Sequence, residues 1–145
     1  LSDRRQRQMC IRDRCSSGDD DVDTGNNNDN GGNSGGTDVG YTKSGNTITI
    51  DLNHSNFSNL QSQNWIQFTA EKMLILKLSS SYKAFDGRCP HQGVHTAWSY
   101  NTSNNRFTCG QHGNSYDTDC VTPGNGGVLT CYNTSLSGSS LTVTT

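Results

Sequence analysis

Four side chains in the middle of this 145-residue chain are of the types that bind transition metals: Cys89 and His91, then Cys109 and His112. They form a C-x-H pair and a C-x-x-H pair, with seventeen residues between His91 and Cys109. Each pair offers one thiolate and one imidazole, and each has a glycine behind its histidine, Gly93 and Gly113. A residue without Cβ lets the backbone turn sharply around a bulky inorganic centre. Two loops of the same make imply one shared site. Structural zinc also takes two cysteines and two histidines, but usually in the order Cys-Cys then His-His and with other spacings.

The C-x-H, spacer, C-x-x-H arrangement resembles the signature of the Rieske iron-sulfur family. The resemblance implies one 2Fe-2S cluster per chain, with Cys89 and Cys109 on an inner iron and His91 and His112 on an outer iron near solvent. Replacing two thiolates by neutral imidazoles removes negative charge and raises the reduction potential relative to an all-cysteine cluster. It also implies an all-β, antiparallel sandwich carrying a cluster-binding subdomain of two loops. Around the cluster it places Gly93, Gly113, Asn114 and Tyr116.

The elements that must position these residues have to be built from little apolar material. The chain is 29% hydrophobic, contains 16 glycines, and is rich in Asn, Ser and Thr, which predicts one small domain of strands and turns with almost no helix. Residues 1–14 stand apart: Arg4 to Arg14, RRQRQMCIRDR, reads as a transposase-type sequencing adapter translated into protein, an assembly scar and not a basic nucleic-acid arm. Without them the chain has six basic and eleven acidic side chains, a net charge of -5. No nucleic-acid partner is expected.

Residues 15–40 read as a tether. Positions 16–40 hold seven glycines and six aspartates and no Lys, Arg or aromatic residue, too little apolar surface to fold. Such a coil would reach about 25 to 30 Å. Cys15 at its head resembles the acylated first residue of a bacterial lipoprotein, which makes it a lipidation candidate and places the protein in the cell envelope; a free cysteine on a cytoplasmic ferredoxin is the alternative. No run is long and apolar enough to span a bilayer, so membrane attachment would be by lipid anchor only.

Residues 41–145 are expected to form the Rieske-type domain. Asn46 to Leu52 alternates Ile48, Ile50 and Leu52 with polar neighbours, the period of a half-buried strand. Trp65 to Thr69 and Met73 to Leu78 read as two more, the second being the most apolar run in the chain. Ser58 to Gln63 is polar and weakly patterned. Tyr82 and Phe85 are candidates for packing beneath the first loop. Between the loops, Ala97, Trp98, Tyr100 and Phe107 predict a hairpin turning at residues 101–105, with Trp98 in the core. His95 reads as a surface histidine. Leu129 to Tyr132 and Leu136 to Val143 predict closing strands around SLSGSS.

Some positions depart from the family pattern. The respiratory branch joins its two loops by a disulfide, but Val94 and Gln111 stand at those places. In that branch a serine and a tyrosine donate hydrogen bonds to cluster sulfurs. Tyr116 matches the tyrosine and Asn114 replaces the serine, so one hydroxyl donor is lost and a potential below the respiratory type is expected. Cys120 and Cys131 occupy no ligand position and flank VTPGNGGVLT, where the family has a proline-containing loop over the cluster. In an exported protein they are disulfide candidates; in a cytoplasmic one they would be free thiols or a reactive dithiol.

Two functions are consistent with these residues. One is electron transfer with unidentified redox protein partners, as a ferredoxin or as the small subunit of an oxidoreductase. The other is a non-catalytic lipoprotein whose site holds zinc or iron structurally. No catalytic residue is visible, and only His54 and His95 remain beyond the motif, too few for a separate mononuclear oxygenase iron.

Overall fold

The computed structural model describes residues 38–145. Cys15 and most of the tether segment lie outside the described residues. The first strand, β1 (Tyr41–Ser44), pairs with β2 (Thr47–Asp51). After a 3-10 turn and the short helix α1 (Ser58–Gln63) come β3 (Trp65–Phe68), β4 (Met73–Lys77) and β5 (Tyr82–Asp86). Then follow β6 (Trp98–Asn101), β7 (Arg106–Cys109) and β8 (Ser115–Asp117), and finally β9 (Cys131–Ser137) and β10 (Ser140–Thr144).

All pairings are antiparallel. Seven strands form one sheet in the order β1-β2-β10-β9-β5-β4-β3, and β6-β7-β8 form a second. The large sheet curls until its two edges meet. Tyr41 of β1 and Phe68 of β3 stand edge to face with ring centroids 4.8 Å apart, and Lys43 Nζ reaches Glu71 at 2.6 Å. One core lies inside the curl: Ile48 and Ile50 from β2, Leu141 and Val143 from β10, and Met73, Ile75 and Ala84 opposite them.

Strand β4 explains how the second sheet is held. Met73, Leu74, Ile75 and Leu76 are all buried, because successive side chains point to opposite faces and both faces are covered. Met73 and Ile75 belong to the core inside the curl, whereas Leu74 and Leu76 pack with Phe85, Trp98, Phe107, Tyr116 and Leu129 under the small sheet. A continuous apolar run is the pattern of a doubly covered strand. The second core also contains Cys89 and Cys109, so the thiols sit on the scaffold itself.

Several elements differ in detail from the sequence expectation. Ser58–Gln63 is helical, because Phe57 and Leu60 dock into the core and Asn64 ends the turn in the left-handed region (φ 63°), a common helix stop. Tyr82 packs against the core inside the curl and not beneath the loops, whereas Phe85 does lie beneath them. Much of SLSGSS is strand, and the chain reverses only at Gly138 (φ 58°) and Ser139.

Candidate metal centre

The two motif loops have the same backbone design. In the first, the Gly93 amide donates to the Cys89 carbonyl at 2.7 Å and the Cys89 amide to the Val94 carbonyl at 2.9 Å. In the second, the Gly113 amide donates to the Cys109 carbonyl at 2.9 Å and the Cys109 amide to the Asn114 carbonyl at 2.8 Å. Gly93 and Gly113 have φ of 67° and 73°, a conformation that costs an L-residue with a Cβ roughly 1–2 kcal/mol. The turn therefore places each histidine two or three residues beyond a buried cysteine. Both loops are braced from below: the Trp98 indole donates to the Gly87 carbonyl at 3.0 Å, and the Gly110 amide to the Ala97 carbonyl at 2.7 Å.

The four motif side chains fall in two neighbouring pairs, thiol beside thiol and ring beside ring. Cys89 and Cys109 are fully buried free thiols. The rings of His91 and His112 stand edge to face with centroids 5.1 Å apart. His91 is half-buried and His112 is exposed. Nδ1 of His91 is buried and has no hydrogen-bond partner, a condition that costs about 1–3 kcal/mol unless something binds there.

Electrostatics differ between the two thiols. Burial pushes Cys89 up, but hydrogen bonds from the Cys109 thiol, the Tyr116 hydroxyl and the His91 and Gln92 amides outweigh it, and its net shift is downward. Burial and the neighbouring Cys89 push Cys109 up. Burial, with Cys89 beside it, pushes the Tyr116 hydroxyl up to about 12, so it remains a donor. That hydroxyl is shared: it lies 3.6 Å from Cys89 Sγ and donates to the Asn125 carbonyl at 2.7 Å.

A family model described as the Rieske [2Fe-2S] domain matches residues 50–131. The chain belongs to the Rieske [2Fe-2S] domain family. Among solved structures, the cyanobacterial plasma membrane Rieske protein PetC3 from Synechocystis PCC 6803 is similar at 18% identity and a TM-score of 0.46, over 61% of this chain and 93% of that one. No match was found among curated proteins. A Rieske domain binds a 2Fe-2S cluster and passes single electrons through it. The donors present fit that group: two buried free thiols, two adjacent imidazoles, and a buried ring nitrogen of His91 without a partner.

A third segment, residues 121–130, lies against both motif loops. An ideal Cβ on Gly126 would fall 2.4 Å from His91 Cα, so its backbone lies directly against the first loop. Asn125 Nδ2 donates to Asn114 Oδ1 of the second loop at 3.3 Å. At its base Cys120 and Cys131 are disulfide-bonded, with Cα atoms 5.9 Å apart. The segment thus touches both motif loops, where Val94 and Gln111 offer no bridge of their own.

Sequence reading missed Gln67. From β3 its amide accepts from the Trp98 amide at 3.0 Å and donates to the Thr96 carbonyl at 2.7 Å, fastening the large sheet to the chain between the loops. A lone polar residue in a strand gives no signal of such a role. His95 is exposed and bridged to Arg88 by backbone only, and His54 caps the 3-10 turn far along the chain, so neither joins the site.

Proposed function

We propose that the protein is a one-electron carrier in which Cys89 and Cys109 hold the inner iron of the 2Fe-2S cluster and His91 and His112 hold the outer one. The observation that carries this reading is the buried, orphaned Nδ1 of His91, whose ring stands edge to face with that of His112 in loops that each begin at a buried, unbridged thiol. When bound, the cluster supplies a site that gains and loses one electron without bond rearrangement. The chain's own residues do the rest. Leu74, Phe85, Trp98 and Phe107 keep water from the thiols, and His112 presents an exposed edge to a partner. Uncharged imidazoles lower the negative charge at that edge.

Structural zinc is less well supported. Among the described residues no three His, Cys, Asp or Glu side chains converge on a single ion position, whereas a binuclear centre needs donors in two separate pairs. The Cys120–Cys131 disulfide favours an oxidising compartment, and with it the cell envelope. Cys15 is the candidate lipid attachment there; among the described residues no helix is long and apolar enough to cross a membrane. The partners would be other redox proteins, and the role that of a ferredoxin or a small redox subunit. Iron and acid-labile sulfide counted per chain after anaerobic reconstitution test the assignment. Two of each with a red-brown colour are expected, and a colourless protein with one zinc would overturn it.

A further inference from the structure

Among the described residues two buried side-chain atoms lack a hydrogen-bond partner: Nδ1 of His91 and Nδ2 of Asn114. The first is the atom proposed above to bind iron. The second is a donor, and donors are rarely left unused in an interior. Asn114 is held firmly. Its carbonyl accepts from the Cys109 amide at 2.8 Å, and its Oδ1 accepts from Asn125 Nδ2 at 3.3 Å. With the oxygen committed to the third segment, the amide nitrogen is the free end, and it lies two residues past His112 in the same tight loop.

We infer that the Asn114 side-chain amide donates a hydrogen bond to a sulfur of the cluster, and so helps set its reduction potential; the inference rests on the ligand set proposed above. The reduced cluster carries one more negative charge than the oxidised one, so a donor to its sulfur strengthens on reduction and shifts the balance toward the reduced form. Read from sequence alone, asparagine in place of serine is the loss of a hydroxyl. In the folded chain it exchanges an O–H donor for an N–H donor. Asn125 then has a second task beyond packing: it holds the amide so that the nitrogen faces inward. Asn114 is in this sense a positioning residue for charge, not a ligand.

The test uses the full chain with its cluster. At a fixed poise, the reduced-to-oxidised ratio of Asn114→Leu, read from the visible spectrum, is expected to fall roughly three- to tenfold, the worth of one buried hydrogen bond. Asn114→Ser, which restores a hydroxyl, is expected to stay within about twofold of the parent. An unchanged ratio in Asn114→Leu would overturn the inference. If that variant does not retain its cluster, the unaltered protein labelled with nitrogen-15 at asparagine side chains decides by pulsed electron paramagnetic resonance. A weak coupling to the reduced cluster is expected, and a clean cluster signal without it overturns the inference. Absence of any Rieske-type signal would instead sink the ligand set.

Discussion

Gly126 presses its backbone against His91 so closely that an ideal Cβ would stand 2.4 Å from His91 Cα and 2.8 Å from its amide nitrogen. Its φ is also positive, at 90°. Two independent constraints thus fall on one residue, and the histidine it touches is a proposed ligand. Gly126→Ala should destabilise the site by roughly 1–3 kcal/mol through strain and overlap. The expected outcome is faster bleaching of the cluster in the presence of a chelator, with a smaller change in the thermal unfolding of the scaffold.

The disulfide should matter to the same segment. Cys120 and Cys131 close a loop whose ends are separated by 11 positions, which the chain-entropy model values at about 3 kcal/mol. Cys120 also adopts φ 71°, unusual for a residue with a side chain. The double substitution Cys120→Ala, Cys131→Ala is expected to lower the unfolding midpoint and to speed cluster loss together. Equal cluster lifetimes with and without the bridge would show that the segment needs no staple.

Much of this fold was legible in the sequence. The apolar run from Met73 reads as a strand, and the alternation at Ile48 and Ile50 as one packed on a single face, and both are strands in the fold. The two motif loops were legible because a ligand set and its glycines leave few conformations open. What stayed hidden depends on distant parts of the chain meeting. Ser58–Gln63 is polar enough to read as a loop until Phe57 and Leu60 find the core, and Gln67 acts through Trp98, 31 positions on. The strand Ser115–Asp117 is three residues long, below the length at which a period can be seen. Its register is fixed instead by Arg106, which grips Asp117 through two hydrogen bonds of 3.1 and 2.6 Å.

Acid should loosen the third segment. Asp119 accepts from the Thr122 hydroxyl and from the Thr122 and Val121 amides, which bring its carboxyl down to about 2 from an ordinary 3.8. A depressed carboxylate contributes stability that is complete above its unfolded value and disappears as pH falls through its folded one. The window is therefore about pH 4 down to about 2. Asp119→Asn, which accepts hydrogen bonds without titrating, should show a shallower loss of thermal stability across that window than the parent. Identical slopes would remove Asp119 from the account.

The segments that flank the site are poor in charge, with Arg88 and Asp119 at their margins. From Cys89 to Asn105 and from Cys120 to Thr145 there is no Asp, Glu, Lys or Arg, and Arg106 and Asp117 neutralise each other. Val94 and Val121 are exposed in the surrounding loops. Charged groups elsewhere are screened within about 10 Å at 0.1 M salt. Reduction of the oxidised protein by a small cationic reagent and by a small anionic one should each change less than about twofold between low and high salt. Steep dependences of opposite sign would mean that a charged surface guides the approach.

Pulsed electron paramagnetic resonance of the reduced protein, labelled with nitrogen-15 at histidine, is the most direct measurement of how the metal is held. Two strongly coupled imidazole nitrogens on a single 2Fe-2S centre are expected, with one lost in each of His91→Cys and His112→Cys. A reduced cluster showing no histidine coupling, or couplings that survive both substitutions, would contradict the assignment of these two side chains to the outer iron.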